Sequence, residues 1–111
     1  MFEAISTLAD FEYVAKNEKA AVFYFSHQEC NVCKVLKPKL AELLFNKYKS
    51  IKPFYVDTIE NQEIAAQLRI FSVPVILFYF EGKEYIRKSR NFSLTELESE
   101  LDRPYNMVFE L

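Results

Sequence analysis

Two cysteines separated by two residues, just after an apolar run, constrain this chain more than any other feature. The run from Ala20 to about Ser26 is rich in β-branched and aromatic residues and predicts a buried strand. Cys30 and Cys33 follow where helical periodicity begins. A helix N-terminus favours a thiolate through its unpaired N–H groups and its dipole. Because residues i and i+3 share one helical face, the sulfurs can reach bonding distance, and the pair can cycle between dithiol and disulfide.

Composition argues against several classes of function. The 111 residues carry a net charge of −2 without a polybasic run, so we predict neither a nucleic-acid nor a membrane partner. A single glycine, Gly82, excludes Gly-rich phosphate-binding loops and dinucleotide fingerprints, and we predict no cofactor. The N-terminal residues lack signal-peptide features, and no apolar stretch approaches the roughly 20 residues that span a bilayer. Two cysteines are too few for a disulfide scaffold, so we expect a cytoplasmic protein.

Strand and helix patterns alternate along the chain, which predicts a single domain over residues 1–111. The predicted order is β-α-β-α-β-α-β-β-α. This order indicates an α/β fold in which a central mixed sheet, with parallel strands plus an antiparallel hairpin edge, has helices on both faces. The residues from Tyr105 to Leu111 show no clear period.

Three local expectations can be tested against the structure. The helix from Asn31 to about Lys49 is expected to bend at Pro38 and to bury one apolar stripe, formed by Val32, Val35, Leu36, Leu40, Leu43 and Leu44. The last helix is expected to begin at a capping box, Ser93 with Glu96, and to stop near Pro104. The aromatic run from Phe71 to Phe80 is interpreted as core.

With these elements in place, the chain resembles thioredoxin-like proteins. The resemblance rests on CxxC after a strand, on Pro38 five residues past the second cysteine, on Asp57 at a strand end, and on Val73–Pro74 just before another strand. It covers essentially the whole chain. It implies the thioredoxin fold and an enzyme that exchanges a dithiol or disulfide at Cys30–Cys33 with protein disulfides.

The resemblance also implies a role for each site residue. Cys30 is the exposed nucleophile and forms a mixed disulfide, and Cys33 is the buried thiol that resolves it. The Val73–Pro74 bond is implied to be cis. The loop that contains it lies against the disulfide, and its backbone pairs with the substrate chain. A thioredoxin-reductase-like enzyme or another dithiol reductant is the implied redox partner.

The surroundings of the cysteines depart from the family pattern. Tyr24 stands where a buried Asp is usual, six residues before the first cysteine, and Glu29 replaces an aromatic residue. Asn31-Val32 replaces Gly-Pro, and Ser72 replaces a Gly. Tyr24 is predicted to lie in the core with its hydroxyl near Cys33. A phenol whose pKa is near 10 is a poor base at neutral pH, so it is a weak substitute for the carboxylate.

Other readings of the same residues stay open. His27 and Lys34 would favour a Cys30 thiolate and Glu29 would oppose it, although a histidine in such a turn is more often a solvated loop residue. Lys34, Lys37 and Lys39 are most simply a solvated helix face. Zinc needs four ligands and His27 with the two cysteines supplies three, so we predict no metal site. The alternative functions are a non-catalytic thioredoxin-fold module that binds a partner through the cis-Pro loop, and a redox sensor.

Overall fold

A five-stranded mixed sheet forms the centre of the molecule. The computed structural model describes residues 2–90 and 92–110. Along the chain the elements are β1 (Glu3–Ala4), α1 (Leu8–Asn17), β2 (Ala20–Ser26), α2 (Asn31–Lys47), β3 (Lys52–Asp57), α3 (Gln62–Gln67), β4 (Val75–Phe80), β5 (Lys83–Ser89) and α4 (Leu94–Phe109). The strand order is β1-β3-β2-β4-β5. The first three of these are parallel, and β4 and β5 form an antiparallel hairpin at the other side. The predicted element order and mixed sheet are confirmed.

Each face of the sheet is covered by two helices. One core contains α2 and α4 side chains such as Leu40 and Leu97, packed with Tyr24 of β2. The other contains Phe11 of α1 and Ile64 of α3, packed with the opposite face of the sheet. All seven residues of β2 are buried because this strand lies between β3 and β4 and under helices on both faces. This position explains why its sequence is continuously apolar.

Side-chain caps hold two helix starts, and one of them is the predicted cap at Ser93. The Thr7 hydroxyl accepts a hydrogen bond from the Asp10 N–H at 3.0 Å, and α1 begins at the next residue. The Ser93 hydroxyl likewise accepts from the Glu96 N–H at 3.0 Å at the start of α4. In each case a side-chain oxygen satisfies a backbone donor that has no partner within the helix.

The last helix continues through Pro104, so the predicted stop is wrong. α4 runs to Phe109, and Tyr105 is buried with its ring centre 5.1 Å from that of Tyr48. Proline removes one backbone hydrogen bond from a helix interior. Burial of the Tyr105 ring outweighs that loss, because an aromatic side chain gains free energy from both area and ring geometry. Leu111 lies outside the described residues.

The helix after the cysteines buries only part of the predicted stripe, including Leu40 and Leu44. α2 is unbroken through Pro38, and its buried residues are Cys33, Leu40 and Leu44. These positions repeat at helical spacing on one face. Val32 and Val35 lie off that face and are 46% and 59% exposed, so the prediction that they are buried is wrong. The bend expected at Pro38 stays a prediction.

Candidate active site

A tight turn positions the cysteine pair between β2 and α2. The Cys30 N–H donates to the His27 carbonyl at 3.2 Å and closes the turn. Cys30 is then the N-cap of α2: its Sγ accepts from the Cys33 N–H at 3.2 Å, and its carbonyl accepts from the Lys34 N–H at 3.3 Å. A sulfur at this place meets the positive end of the helix dipole. Such surroundings stabilise a thiolate.

The two sulfurs are bonded to each other but differ in access to solvent. Cys30 and Cys33 form a disulfide, with Cα atoms 5.3 Å apart. Cys30 is 9% exposed and Cys33 is 2% exposed. Cys30 is therefore less open than the implied exposed nucleophile, but a partner reaches it more easily than Cys33.

The buried phenol of Tyr24 is hydrogen-bonded to the main chain of the second cysteine. Its hydroxyl donates to the Cys33 main-chain carbonyl at 2.8 Å, and the side chain is fully buried. Burial, followed by the proximity of Tyr55, raises the pKa of Tyr24 far above its ordinary value. The phenol is therefore neutral over the whole physiological range. It holds the first turn of α2 as a hydrogen-bond donor and offers no base at neutral pH.

An ammonium group lies on the same side of the sheet as Tyr24. Lys37 follows Cys33 by four residues, which places both on one face of α2. Its Nζ is 4.5 Å from the centre of the Tyr55 ring and 5.2 Å from that of Phe2, a double cation–π contact. The prediction of a solvated face is therefore wrong for Lys37, which is half-buried. The i, i+4 spacing from Cys33 was the sequence signal for it.

The other charged candidates surround the turn without touching a sulfur. The His27 Nδ1 accepts a hydrogen bond from the Glu29 N–H at 3.2 Å. Glu29 and Lys34 are exposed. Across residues 2–90 and 92–110, no hydrogen bond joins these three side chains to either cysteine.

The loop before β4 lies beside the cysteine turn. Phe25 pairs with Val75, so the residues just before β4 meet the end of β2. The Val73–Pro74 peptide bond is cis. Between this loop and α3 is an open groove of about 320 Å³, which His27 and Val73 help to line. Phe71 also lines it and is 86% exposed, so its assignment to the core is wrong.

The described residues contain neither a cluster of metal-ligating side chains nor a helix suited to cross a membrane. In the two described ranges, no three His, Cys, Asp or Glu side chains are grouped so that they could hold a metal ion. Over the same residues, no helix combines the length and the apolar character that crossing a bilayer requires.

Comparison with known proteins identifies relatives over most of the chain. The Thioredoxin family model matches residues 4–103. The chain is 28% identical over 103 residues to the thioredoxin-like protein YdfQ of Bacillus subtilis, covering 93% of this chain and 91% of that protein. It is 31% identical over 86 residues to thioredoxin of Gallus gallus, covering 76% of this chain and 81% of the relative.

Solved structures show the same fold. Mitochondrial thioredoxin 3 of Saccharomyces cerevisiae, in the oxidized form, aligns with a TM-score of 0.81 at 21% identity, over 91% of this chain and 93% of that one. Thioredoxin of Fasciola hepatica aligns with a TM-score of 0.79 at 27% identity, over 92% of this chain and 98% of that one. The thioredoxin fold is therefore confirmed.

Proposed function

Because this chain belongs to the thioredoxin family and is a thiol–disulfide oxidoreductase, we propose that Cys30 attacks protein disulfides and that Cys33 releases the product. The observation that carries this assignment is the position of the Cys30 Sγ at the N-cap of α2, where it accepts the Cys33 N–H at 3.2 Å. Cys30 is also the more accessible sulfur. A thiolate at that position is stabilised and can be reached.

The proposed exchange proceeds in two displacements. The Cys30 thiolate attacks one sulfur of the substrate disulfide, forms a mixed disulfide, and expels the other substrate sulfur as a thiolate that takes up a proton. Cys33 then loses its proton and attacks the Cys30 Sγ. This step forms the Cys30–Cys33 disulfide, and the second substrate thiol leaves in reduced form. A dithiol reductant returns the pair to the dithiol state, and a reducing cytoplasmic location suits this direction.

The loop at Val73–Pro74 is the proposed site for the substrate main chain. In the described part of the chain, Val73 makes no hydrogen bond to another main-chain group. Pro74 has no N–H, so the polar groups of Val73 are the ones that this part of the loop offers to an extended peptide. A substrate paired there would lie along the 320 Å³ groove, with its disulfide at Cys30.

Four residues are proposed to tune the site. Tyr24 fixes the Cys33 carbonyl, and His27 shapes the turn through the Glu29 N–H. Lys34 favours the Cys30 thiolate electrostatically and Glu29 opposes it. Because both of these charges are exposed, salt in solution screens their effect.

Trapping tests the roles of the two cysteines. Cys33→Ser should accumulate mixed disulfides with substrate proteins, because the second displacement is blocked. Cys30→Ser should not accumulate them, and the double variant controls for non-covalent capture. Equal trapping by both single variants, or by neither, would contradict the assignment. A binding module or a redox sensor would also show no turnover in a disulfide-reduction assay with a dithiol reductant.

A further inference from the structure

We propose that a second groove, on the α2 side of the disulfide, binds an acidic and apolar segment of the disulfide-bearing partner. The groove has a volume of about 340 Å³ and is lined by Val32, Val35, Leu36, Lys39, Arg90 and Phe92. This inference rests on the proposed function and names the chemistry of its protein substrate. The six residues that line this groove are called the basic groove.

Strand register places the basic groove at the reacting sulfurs. Phe25 of β2 pairs with Val75 of β4, and Val75 pairs with Ser89 of β5. The ends of β2 and β5 therefore lie at one edge of the sheet, and Arg90 follows β5 there. Val32 stands between the two cysteines, so the groove begins at the disulfide.

The basic groove and the groove at Val73 lie on different sides of the disulfide. The Val73 groove is lined by α3, whose side chains join the core on one face of the sheet. The basic groove is lined by α2, which packs on the other face. A polypeptide whose cysteine is bonded to Cys30 can therefore pair with the Val73 backbone and still reach the basic groove.

The floor of the basic groove is apolar and accessible. Val32 and Val35 are 46% and 59% exposed, and Leu36 and Phe92 are half-buried. Exposed apolar side chains that adjoin one another next to a reactive centre are typical of a docking surface. A groove of this size takes one or two apolar side chains of a bound peptide.

The charges of the basic groove determine which peptides fit it. Lys39 and Arg90 line it, and none of its lining residues is acidic. Within residues 2–90 and 92–110, neither cation forms a salt bridge, whereas four other basic residues do: Lys47, Lys52, Arg87 and Lys88. The acid nearest to Lys39 in sequence is Glu42, which lines the neighbouring groove together with Lys39. The acids nearest to Arg90 are Glu84 and Glu96, which form salt bridges to Arg87 and Lys88.

Two cations without carboxylate partners beside an apolar floor are complementary to an aliphatic or aromatic side chain followed by Asp or Glu. A partner segment that carries Lys or Arg at the same place would meet like charge. The basic groove therefore selects among protein disulfides by the residues that flank the cysteine.

The test compares two disulfide-bonded peptides that differ only in flanking residues, Leu-Glu-Glu in one and Leu-Lys-Lys in the other. Wild type should reduce the acidic peptide with a kcat/KM about fivefold higher, and the ratio should shrink as salt is added. Arg90→Glu should abolish or invert the ratio. Lys83→Glu, an exposed charge reversal at the start of β5, is the matched control and should leave the ratio unchanged.

Two further measurements separate the possible failures. All variants should reduce the neutral bis(2-hydroxyethyl) disulfide at the wild-type rate, which shows that they are folded and active. Turnover of both peptides at equal rates by wild type would contradict the proposed role of the basic groove and leave the proposed function intact. Absence of turnover, combined with preferential binding of a cysteine-free acidic peptide, would instead contradict the proposed function and support the groove.

Discussion

Tyr24 determines how a proton can leave the buried cysteine. Its hydroxyl is already used as a donor to the Cys33 carbonyl at 2.8 Å. Burial raises its pKa, so the phenol cannot accept a proton near neutral pH. Cys33 is 2% exposed, and burial of a thiol in apolar surroundings disfavours its thiolate. Release of product should therefore be slow near pH 7 and should accelerate as the pH rises.

The prediction is that Tyr24→Asp accelerates product release near pH 7, because it places a base where the phenol stands. Single-turnover release from a preformed Cys30 mixed disulfide, followed across pH, measures the effect. Tyr24→Phe is the control: it removes one hydrogen bond, costing about 1 kcal/mol of stability, and should keep the wild-type pH profile. A wild-type rate that is flat with pH and unchanged in Tyr24→Asp would mean that another group takes the proton.

The positions of the proposed reacting residues could be predicted from sequence, but the surroundings of some neighbouring residues could not. Cys30, Cys33 and Tyr24 lie where strand and helix patterns place them, since register along one chain segment fixes their spacing. Lys37 and Phe71 were assigned wrongly because their surroundings depend on contacts between segments. Lys37 contacts the rings of Phe2, which precedes β1, and of Tyr55 in β3. No local sequence pattern predicts that these two segments pack against α2.

At the scale of the elements, α4 contains Pro104, a residue that sequence alone predicts to end the helix. Pro104→Ala should stabilise the protein by about 1–2 kcal/mol, because alanine restores a backbone N–H donor and is a better helix former than proline. This net figure allows for the opposing loss, since proline lowers the conformational entropy of the unfolded chain and alanine does not. Urea unfolding measures the change. Arg103→Ala, at the preceding exposed position, should shift stability by no more than about 0.5 kcal/mol. A destabilised Pro104→Ala would show that packing of the proline ring outweighs the missing hydrogen bond.

Element boundaries were predictable where a local signal fixes them. β2 and β4 begin and end as their apolar runs indicate, and Thr7 and Ser93 cap the helices that follow them. Sequence failed at Pro104 because burial of Tyr105 against Tyr48 is a tertiary gain that local propensity does not contain. Along α2, sequence predicted the burial of Leu40 and Leu44 correctly. It failed at Val32 and Val35, which lie off the narrow face that the helix buries.

At the scale of the whole molecule, the proposed site features all lie at one end of the strands of the sheet. β2, β3 and β5 all end there and β4 begins there, as the pairs Ser26 with Asp57 and Val75 with Ser89 show. The cysteine turn, the Val73 loop and the basic groove are consequently neighbours although they are distant in sequence. The β4–β5 turn at Gly82 lies at the opposite end of these strands.

Two buried tyrosines in the core that α2 and α4 share, Tyr24 and Tyr48, predict how the stability of the whole molecule changes at high pH. Burial is the main cause that raises the pKa of both Tyr24 and Tyr48, and the hydrogen bond from the Tyr48 hydroxyl to Asp102 adds to the second shift. An unfolded tyrosine titrates near pH 10. Above about pH 10 the native state therefore holds protons that the unfolded state has lost, so the free energy of unfolding must fall as pH rises; below that pH the contribution of both phenols is complete.

The expected result is a fall of about 1.4 kcal/mol per pH unit for each of the two phenols once the pH exceeds about 10. Urea unfolding of the disulfide form at a series of pH values measures the slope. Tyr24→Phe and Tyr48→Phe should each remove their share of it, while lowering stability at pH 8 through the lost hydrogen bond. Tyr13→Phe, which deletes an exposed phenol, should leave the slope as in wild type. A slope that is the same in all four proteins would mean that other groups govern the alkaline transition and that these two phenols do not.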